Sequence, residues 1–445
     1  MISASPSALR LTRKSGYMIT LGAHSTTDLP TTAGPSRLAR WACLLLLALL
    51  SSAISAQEWT YPYPPSLSIR DGYKVLHLKG SPEDLGYQHA ALAGDLVQRV
   101  LDDVIINDAA QDPDSRRELF AGAMVMERYL PELYRRELRA LAEHAHVDYE
   151  ALVALQLFGD VQRNQYCSSY AVYGPATTTG ELIAGRNFDY WDNGASKYGA
   201  LLIAYYPDEG IPFVTVSWAG IINGWTLINA CGLTVSNNTC YSGKNSLEGI
   251  STCFMLRKIA QFAHNVEEGV EIIKNTPRAC GTVILIAGGN PPNAAAVEFD
   301  HEEVAVRWGK DGWVAATNEF RTLYNDAVND NQPIGPEVAD APADLPADKA
   351  QADYQTAYEY VWECSRYRTL KNLIRDNYGK IDRTMNFAAA PGVGMGYINL
   401  HSALLFPRDL IIEVSMGETP ATAHRYRPFR FTPQGLYPLA EVDGN

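Results

Sequence analysis

The stretch NQYCSSYAVYG, Asn164 to Gly174, is where this 445-residue chain changes character. A lone cysteine opens an alternating run of Cys167, Ser168, Ser169, Tyr170, Ala171, Val172 and Tyr173. Alternation rich in aromatic and β-branched residues reads as a strand. Upstream, residues 57–163 read mostly as helix. The segment SPEDLGYQHAALAGDLVQRVLDDVI starts one: Ser81 caps it, Pro82 fills the first position, and Glu83 and Asp84 place acid in the first turn. Leu85, His89, Leu92, Leu96 and Val100 follow at helical spacing. Further helical stretches are expected near 114–143 and 147–158, and YKVLHLKG before them reads as a strand.

Downstream of Cys167 the runs are short and β-rich: ELIAGRNFDY, ALLIAYYP, PFVTVSWAG, WTLINACGLTVSNN, TVILIAGG, AAAVEFD, EVAVRWG and WVAATNEF. Gly, Pro and Asp-Gly separate them, as between antiparallel partners. A long helical region at about 251–275 interrupts the strands, and a second is expected near 353–376. Between them, residues 325–350 are rich in Ala, Asp and Pro, the composition of a mobile acidic surface loop. No internal repeat is present. Helices, strands, helices and strands again make an α+β layering rather than a parallel βαβ sheet.

The first 56 residues do not look globular. After a Ser/Thr/Ala/Pro-rich preamble, RLAR, WACLLLLALL and SSAISA give charge, a short apolar core and small residues for cleavage. That order reads as a secretory signal ending near Ser55 or Ala56, and predicts a secreted or periplasmic protein with no stable membrane span after signal removal. The alternative is a retained signal anchor. Residues 1–56 hold five basic residues and one acidic, so a chain without them drops from a net charge of −13 to −17. Such a chain has no general attraction for nucleic acid. Of seven cysteines, Cys43 leaves with the signal, and six remain that could pair. No CxxC or HExxH spacing exists, so neither a metal nor an organic cofactor is expected.

A thiol attacks only as thiolate and needs a base or a lowered pKa. No histidine has an obvious placement beside Cys167. Breaking the Tyr166–Cys167 peptide bond would supply one solution, a free α-amine on Cys167 itself, with an ordinary pKa of about 7.7–8.0. GRNFDY puts Arg186, Asn187 and Asp189 at the end of the second strand of a hairpin turning at GPATTTGE, beside the start of the first. Arg186 there would favour thiolate; Asp189 would accept from the new ammonium or fix Arg186. LINACGLTVSNN ends in Asn237 and Asn238, amides able to donate to an oxyanion. AATNEF puts Asn318 at another strand end, and CSRYR puts Arg366 and Arg368 on the late helical block.

In order along the chain, GSPEDLGYQHAALAG, YRRELRALAEHAHVDYEALVALQLFGDV, CSSYAVYG with ELIAGRNFDY, NACGLTVSNN, TNEF and SRYR with HSALLF resemble the acyl-coenzyme A:6-aminopenicillanate acyltransferase family of cysteine-type Ntn hydrolases. Penicillin V acylase, bile-salt hydrolase and acid ceramidase are more distant relatives. The resemblance covers about 75–440. It implies a four-layer αββα sandwich of two antiparallel sheets with helices on both outer faces. It also implies a precursor cut into a helical segment, 57–166, and a catalytic segment, 167–445, that stay associated. Cys167 would be both self-processing residue and nucleophile, flanked by Arg186 and Asp189. Asn238 would be the oxyanion donor, with Asn237 the other register. Asn318 would orient nucleophile or substrate, and Arg366 would be the late arginine, with Arg368 open on spacing. The substrate would be a small acyl amide, hydrolysed or exchanged without a cofactor. Two features depart from the pattern: Glu319 stands where the family often has histidine, and 325–350 looks inserted.

Bland readings stand beside these. Cys167 can be a buried or bridged cysteine, Arg186–Asp189 a structural pair, Asn238 and Asn318 turn residues, and Arg366 and Arg368 solvated helix charges. His401 reads as a core histidine. Tyr190, Trp191, Trp218 and Trp225 can line an acyl pocket or simply pack. An uncleaved cysteine hydrolase and a non-catalytic binding protein on the same scaffold are the alternative functions.

Overall fold

The computed structural model describes Trp59 and residues 61–162, 165–324 and 364–442. The signal expected over 1–56, the acidic insertion at 325–350 and the start of the last helical block lie outside the described residues.

Strands β1 (Ser66–Arg70) and β2 (Tyr73–Gly80) precede helix α1 (Pro82–Leu101). The helix begins with a capping box: Asp84 N donates to Ser81 Oγ at 3.2 Å, and Ser81 N donates to Asp84 Oδ2 at 3.0 Å. It runs into a π-helical turn, Asp102–Ala109. The helix expected near 114–143 is two, α2 (Pro113–Glu127) and α3 (Glu132–Ala145). Pro131 divides them, because proline lacks the N–H and its ring clashes with the preceding turn. Helix α4 (Tyr149–Gln162) leads to β3 (Tyr166–Gly174) and β4 (Gly180–Asp189). Then come α5 (Ala195–Gly199), β5 (Ala200–Pro207), β6 (Phe213–Trp218), β7 (Thr226–Asn229) and β8 (Leu233–Thr239). The 251–275 region also splits, into α6 (Thr252–Phe262) and α7 (Val266–Lys274), where the Asn265 side chain caps the second helix. After them come β9 (Thr282–Gly288), β10 (Asn293–Phe299), β11 (Val304–Trp308), β12 (Trp313–Ala316) and α8 (Ser365–Asp376). Strands β13 (Asn399–Phe406), β14 (Ile411–Met416), β15 (Arg427–Thr432) and β16 (Gly435–Pro438) close the fold.

The strands form two sheets, β1-β2-β5-β6-β7-β8-β9-β10-β11 and β12-β3-β4-β13-β14-β15-β16. Strands β5, β6, β9 and β10 are buried along almost their whole length. Such strands are covered on both faces. Helices α6 and α7 pack on the outer face of the first sheet, β3 and β4 meet its inner face, and α8 packs on the second sheet. The result is a four-layer αββα sandwich, the layering that the resemblance implies.

The strand expected at YKVLHLKG is β2, and β1, which was not foreseen, pairs with it at the edge of the nine-stranded sheet. One expectation needs correction: the sheets are not purely antiparallel, because β2 runs parallel to β5 with Val75 opposite Leu202. A parallel pair needs a long crossover, and α1 to α4 with the β3–β4 hairpin supply it. The six described cysteines form no disulfide.

One buried ion pair ties α3 to α6. Arg257 Nη2 donates to Glu137 Oε2 at 2.5 Å with both side chains fully buried. Arg257 Nη1 also donates to Ile222 O at 2.7 Å, and its guanidinium lies 4.6 Å and 4.8 Å from the ring centres of Tyr134 and Tyr205. Removing one partner leaves the other charge buried and uncompensated. Arg257→Met is therefore expected to cost about 3–5 kcal/mol, read as a lowered urea midpoint; an unchanged midpoint would show that the pair holds nothing together.

Candidate active site

The β3–β4 hairpin sets the site. Its register places Tyr166 opposite Asp189, Cys167 opposite Phe188, Ser168 opposite Asn187 and Ser169 opposite Arg186. Side chains alternate across a sheet, so Cys167, Ser169, Arg186 and Phe188 share one face, and Ser168 and Asn187 point the other way. The first set looks into the sandwich. There Asn238 Nδ2 reaches Ser169 Oγ at 2.7 Å from the facing sheet, and Phe188 stacks on Trp225. The second set is pinned from outside: Ser168 Oγ donates to Val393 O at 3.0 Å and Asn187 Nδ2 to Ala388 O at 2.8 Å. Gly185 has room for no side chain, because a Cβ would lie 2.1 Å from the Tyr170 ring.

Arg186 Nη2 donates to Cys167 Sγ at 3.0 Å, with the cysteine fully buried and the arginine 1% exposed. The Cys167 pKa is pushed up: burial dominates, Arg186 opposes it, Asp189 adds to it, and Arg366 opposes it further. In the uncut chain the thiol is therefore protonated at neutral pH.

Asn318 and Arg366 hold the backbone on either side of the sulfur. Cys167 N donates to Asn318 Oδ1 at 2.8 Å. Asn318 Nδ2 donates to Thr239 O at 2.6 Å and to Gln165 O at 3.3 Å. Arg366 Nη2 donates to Asn318 Oδ1 at 2.7 Å, and Arg366 Nη1 to Cys167 O at 2.5 Å. Arg366, rather than Arg368, thus reaches the cysteine backbone. Glu319, the departure from the family pattern, positions that arginine. Its Oε2 accepts from Cys364 N at 2.7 Å, where α8 begins, and its Oε1 pairs with Arg321 at 2.8 Å. A carboxylate at a helix start is favourable.

Asp189 is fully buried, and its Oδ1 accepts from Asn399 Nδ2 at 2.8 Å. Its Oδ2 lies 4.0 Å from Arg366 Nη1 and has no hydrogen-bond donor among the described residues. Burial raises its pKa, opposed by the Asn399 hydrogen bond and by Arg366. The ion-pair neighbour of Asp189 is thus Arg366, and Arg186 is left to the sulfur.

The two candidate oxyanion donors differ. Asn237 Oδ1 lies 3.5 Å from Arg186 Nη2. A guanidinium only donates, so it fixes the Asn237 amide with oxygen toward it; Nδ2 is buried with no partner among the described residues. Asn238 faces Ser169, whose hydroxyl donates or accepts equally well. A flip of the Asn238 amide would set Oδ1 toward that hydroxyl, which could then donate to it, and would turn Nδ2 away from Ser169. His401 is no base: its Nε2 bonds Thr226 Oγ1 at 2.8 Å, its ring stacks on Phe188, and burial holds its pKa well below the usual histidine value.

A small apolar cleft of about 30 Å³ begins at Phe188, the strand partner of Cys167. Trp218, Trp225, Tyr190 and Leu400 line it from one segment, and Val104 and Phe158 from the other. All four aromatics that the sequence analysis singled out, Tyr190, Trp191, Trp218 and Trp225, line it, but Ser169 and Asn399 were given no role. Asn399 had no sequence signal, since it meets Asp189 across 210 positions. Glu319 stood out only as an odd residue.

Residues 176–387 match the family described as acyl-coenzyme A:6-aminopenicillanic acid acyl-transferase. The match contains Arg186, Asp189, Asn238, Asn318 and Arg366, and begins after Cys167. An uncharacterized protein of Archaeoglobus fulgidus is 25% identical over 70% of this chain and 56% of its own length. Protein dcd1A of Dictyostelium discoideum is 24% identical over 59% of this chain and 71% of its own. The chain therefore spans only about half the length of the archaeal relative. Among solved structures, the Caenorhabditis elegans N-acylethanolamine-hydrolyzing acid amidase ortholog is 14% identical, covering 61% of this chain and 100% of that one at a TM-score of 0.37. The conjugated bile acid hydrolase of Clostridium perfringens is also 14% identical, covering 61% and 96% at 0.39. Just under half of the chain, residues 176–387, thus carries the likeness to the acyl-coenzyme A:6-aminopenicillanic acid acyl-transferase family.

Proposed function

We propose that this protein is a self-processing hydrolase or acyltransferase of linear acyl amides that works through a thioester on Cys167. The observation that carries the reading is the 3.0 Å contact from Arg186 to the buried Cys167 sulfur, beside a backbone clamped by Asn318 and Arg366. The family match over residues 176–387 supports it.

In processing, Cys167 Sγ attacks the Tyr166 carbonyl carbon, the C–N bond breaks, and the nitrogen takes up the thiol's proton as a free amine. Water then hydrolyses the Tyr166 thioester, releasing a Tyr166 carboxylate and restoring the thiol. The new ammonium keeps Asn318 Oδ1 as acceptor. In turnover the α-amine takes the thiol proton, and the thiolate attacks the substrate carbonyl. Asn238 Nδ2 and a backbone N–H receive the oxyanion. The ammonium protonates the leaving amine, and water or an acceptor amine resolves the thioester.

Processing predicts two bands on a denaturing gel. A chain starting near residue 57 gives pieces of about 12 and 31 kDa, scaled from 49.0 kDa for 445 residues. Cys167→Ala should give one band. Active protein with an unbroken chain across 166 and 167, or a Cys167→Ala chain still cut there, would overturn self-processing.

The cation beside the sulfur predicts a pH effect. Arg186 holds the Cys167 pKa down against burial, so Arg186→Met should raise it and move the acid limb of kcat/KM to higher pH. A lower rate with an unmoved limb would mean that Arg186 is only structural. Loss of the oxyanion donor in Asn238→Ala should lower kcat by about 10²–10³; the same loss in Asn237→Ala, with Asn238→Ala unaffected, would transfer the role.

A further inference from the structure

A cleft of different character lies at the seam between the two sheets, and Cys167 does not line it. Its floor joins Ala200 of β5, in the first sheet, to Met416 of β14, in the second. Tyr73 ties the seam there, because its hydroxyl accepts from Met416 N at 3.2 Å. The cleft holds about 380 Å³, room for a compact molecule. Lys74, Lys197, Arg425 and Arg427 line it, with Glu418 as the one acidic lining residue.

These cations come from distant parts of the chain. Lys74 lies on β2, Lys197 on α5, Arg425 just before β15 and Arg427 on β15 itself. Arg427 is fixed in place. Its Nη1 donates to Asp71 O and, at 3.2 Å, to Asp71 Oδ1, and its guanidinium lies 4.8 Å from the Tyr73 ring centre. Gly72 makes room for it: the residue has a φ of +81°, and a Cβ would lie 2.7 Å from Arg427 Nη1.

The nearby carboxylates are already engaged. Asp71 pairs with Arg427, and Glu418 Oε2 lies 3.2 Å from His424 Nδ1. Three cations remain. Lys74 Nζ donates to Tyr198 O at 2.8 Å and meets no carboxylate among the described residues. Lys197 and Arg425 are exposed and have no ion-pair partner among the described residues. Burial lowers the Lys74 pKa, a cost that an anion beside it would relieve. In a chain of net charge −13, this is a local surplus of the opposite sign. Concave sites lined by one sign of charge concentrate the opposite ion. One exposed ion pair is worth little, so the favoured anion is one that reaches several of these cations together.

We infer that this cleft binds a compact polyvalent oxyanion, a phosphate ester or a polycarboxylate, held between Lys74, Lys197 and Arg425. Lys74 precedes Cys167 and the other two follow it, so the bound anion ties the two parts of the chain together across the seam. The site does not depend on the amide-cleaving reading.

The test is calorimetric titration of the full-length protein at physiological ionic strength, with inorganic pyrophosphate and citrate as probes and acetate as the monovalent comparison. Pyrophosphate or citrate should bind one to one and about ten-fold or more tighter than acetate; the tighter of the two distinguishes phosphate from carboxylate chemistry. Lys197→Glu with Arg425→Glu should weaken that binding about ten-fold or more. Arg117→Glu with Arg375→Glu makes the same change of charge on exposed faces of α2 and α8 and should leave binding as it is. Lys74→Met should weaken binding as well, and it gives the same reading should the Lys197/Arg425 variant fail to fold. The tighter probe at saturation should also raise the urea midpoint of the native chain, because a ligand of the folded state alone stabilises it. Binding no tighter than that of acetate, a midpoint that does not move, a Lys197/Arg425 variant that binds unchanged, or an Arg117/Arg375 variant that loses as much overturns the inference.

Discussion

The site depends on charge balance around one buried sulfur. Arg186 and Arg366 bring two positive charges and Asp189 one negative, all within electrostatic reach of Cys167. Two of the three Arg186 nitrogens, Nε and Nη1, have no hydrogen-bond partner among the described residues, and the third meets only the sulfur and the distant Asn237 oxygen. A buried guanidinium without a counterion is costly. Ionising the thiol supplies the missing negative charge without further movement. Burial, with Asp189 adding to it, keeps the sulfur protonated. Under the proposed function the arrangement would be quiescent until a base removes that proton.

The fold keeps this cluster in place from both sides of one hairpin. On the inner face the facing sheet brings Asn237 and Asn238. On the outer face, Asn318 at the end of β12 and Arg366 at the start of α8 grip the backbone of residues 165–167, and Glu319 holds the start of α8 against that same strand end. Consecutive residues of one strand end thus orient the nucleophile and place the helix whose arginine reaches it. A histidine at position 319 would supply at most one acceptor nitrogen, whereas the glutamate uses both oxygens, one on Cys364 N and one on Arg321.

Much of this was legible in the sequence, and the gaps have physical causes. Strands β3 to β12 were readable because buried apolar runs are punctuated by Gly and Pro. Strands β13 to β16 were not, apart from HSALLF within the resemblance: β13 buries Asn399, His401 and Ser402, each on a hydrogen bond, and β15 begins with Arg-Pro. Their polarity hides their burial. Helix breaks at Pro131 and Asn265 were overlooked because apolar spacing continues across them. The choice between Asn237 and Asn238 is open to sequence reasoning by one residue, and one residue on a strand is the difference between two faces. Partners distant in sequence, such as Asn399 and Asp189, leave no local trace.

A scission at 166/167 would cut a chain whose two pieces are interleaved. Before the cut, β2 already lies hydrogen-bonded to β5, with six residue pairs from Val75–Leu202 to Gly80–Pro207 in register. The Glu137–Arg257 pair joins α3 to α6 out of contact with water, and separating the pieces would expose β2, leave β5 an unpaired edge and strand both charges. The apolar cleft is built from both pieces as well, since Val104 and Phe158 face Trp218 and Trp225. Under the proposed function, a free amine at Cys167 would therefore arise inside an assembled core and need not wait for one to form. Water would have to reach that core to hydrolyse the first thioester, so the clamp at residues 165–167 would have to loosen. Asn318 and Arg366 would be the groups to let go, because they hold the peptide on both sides of the sulfur.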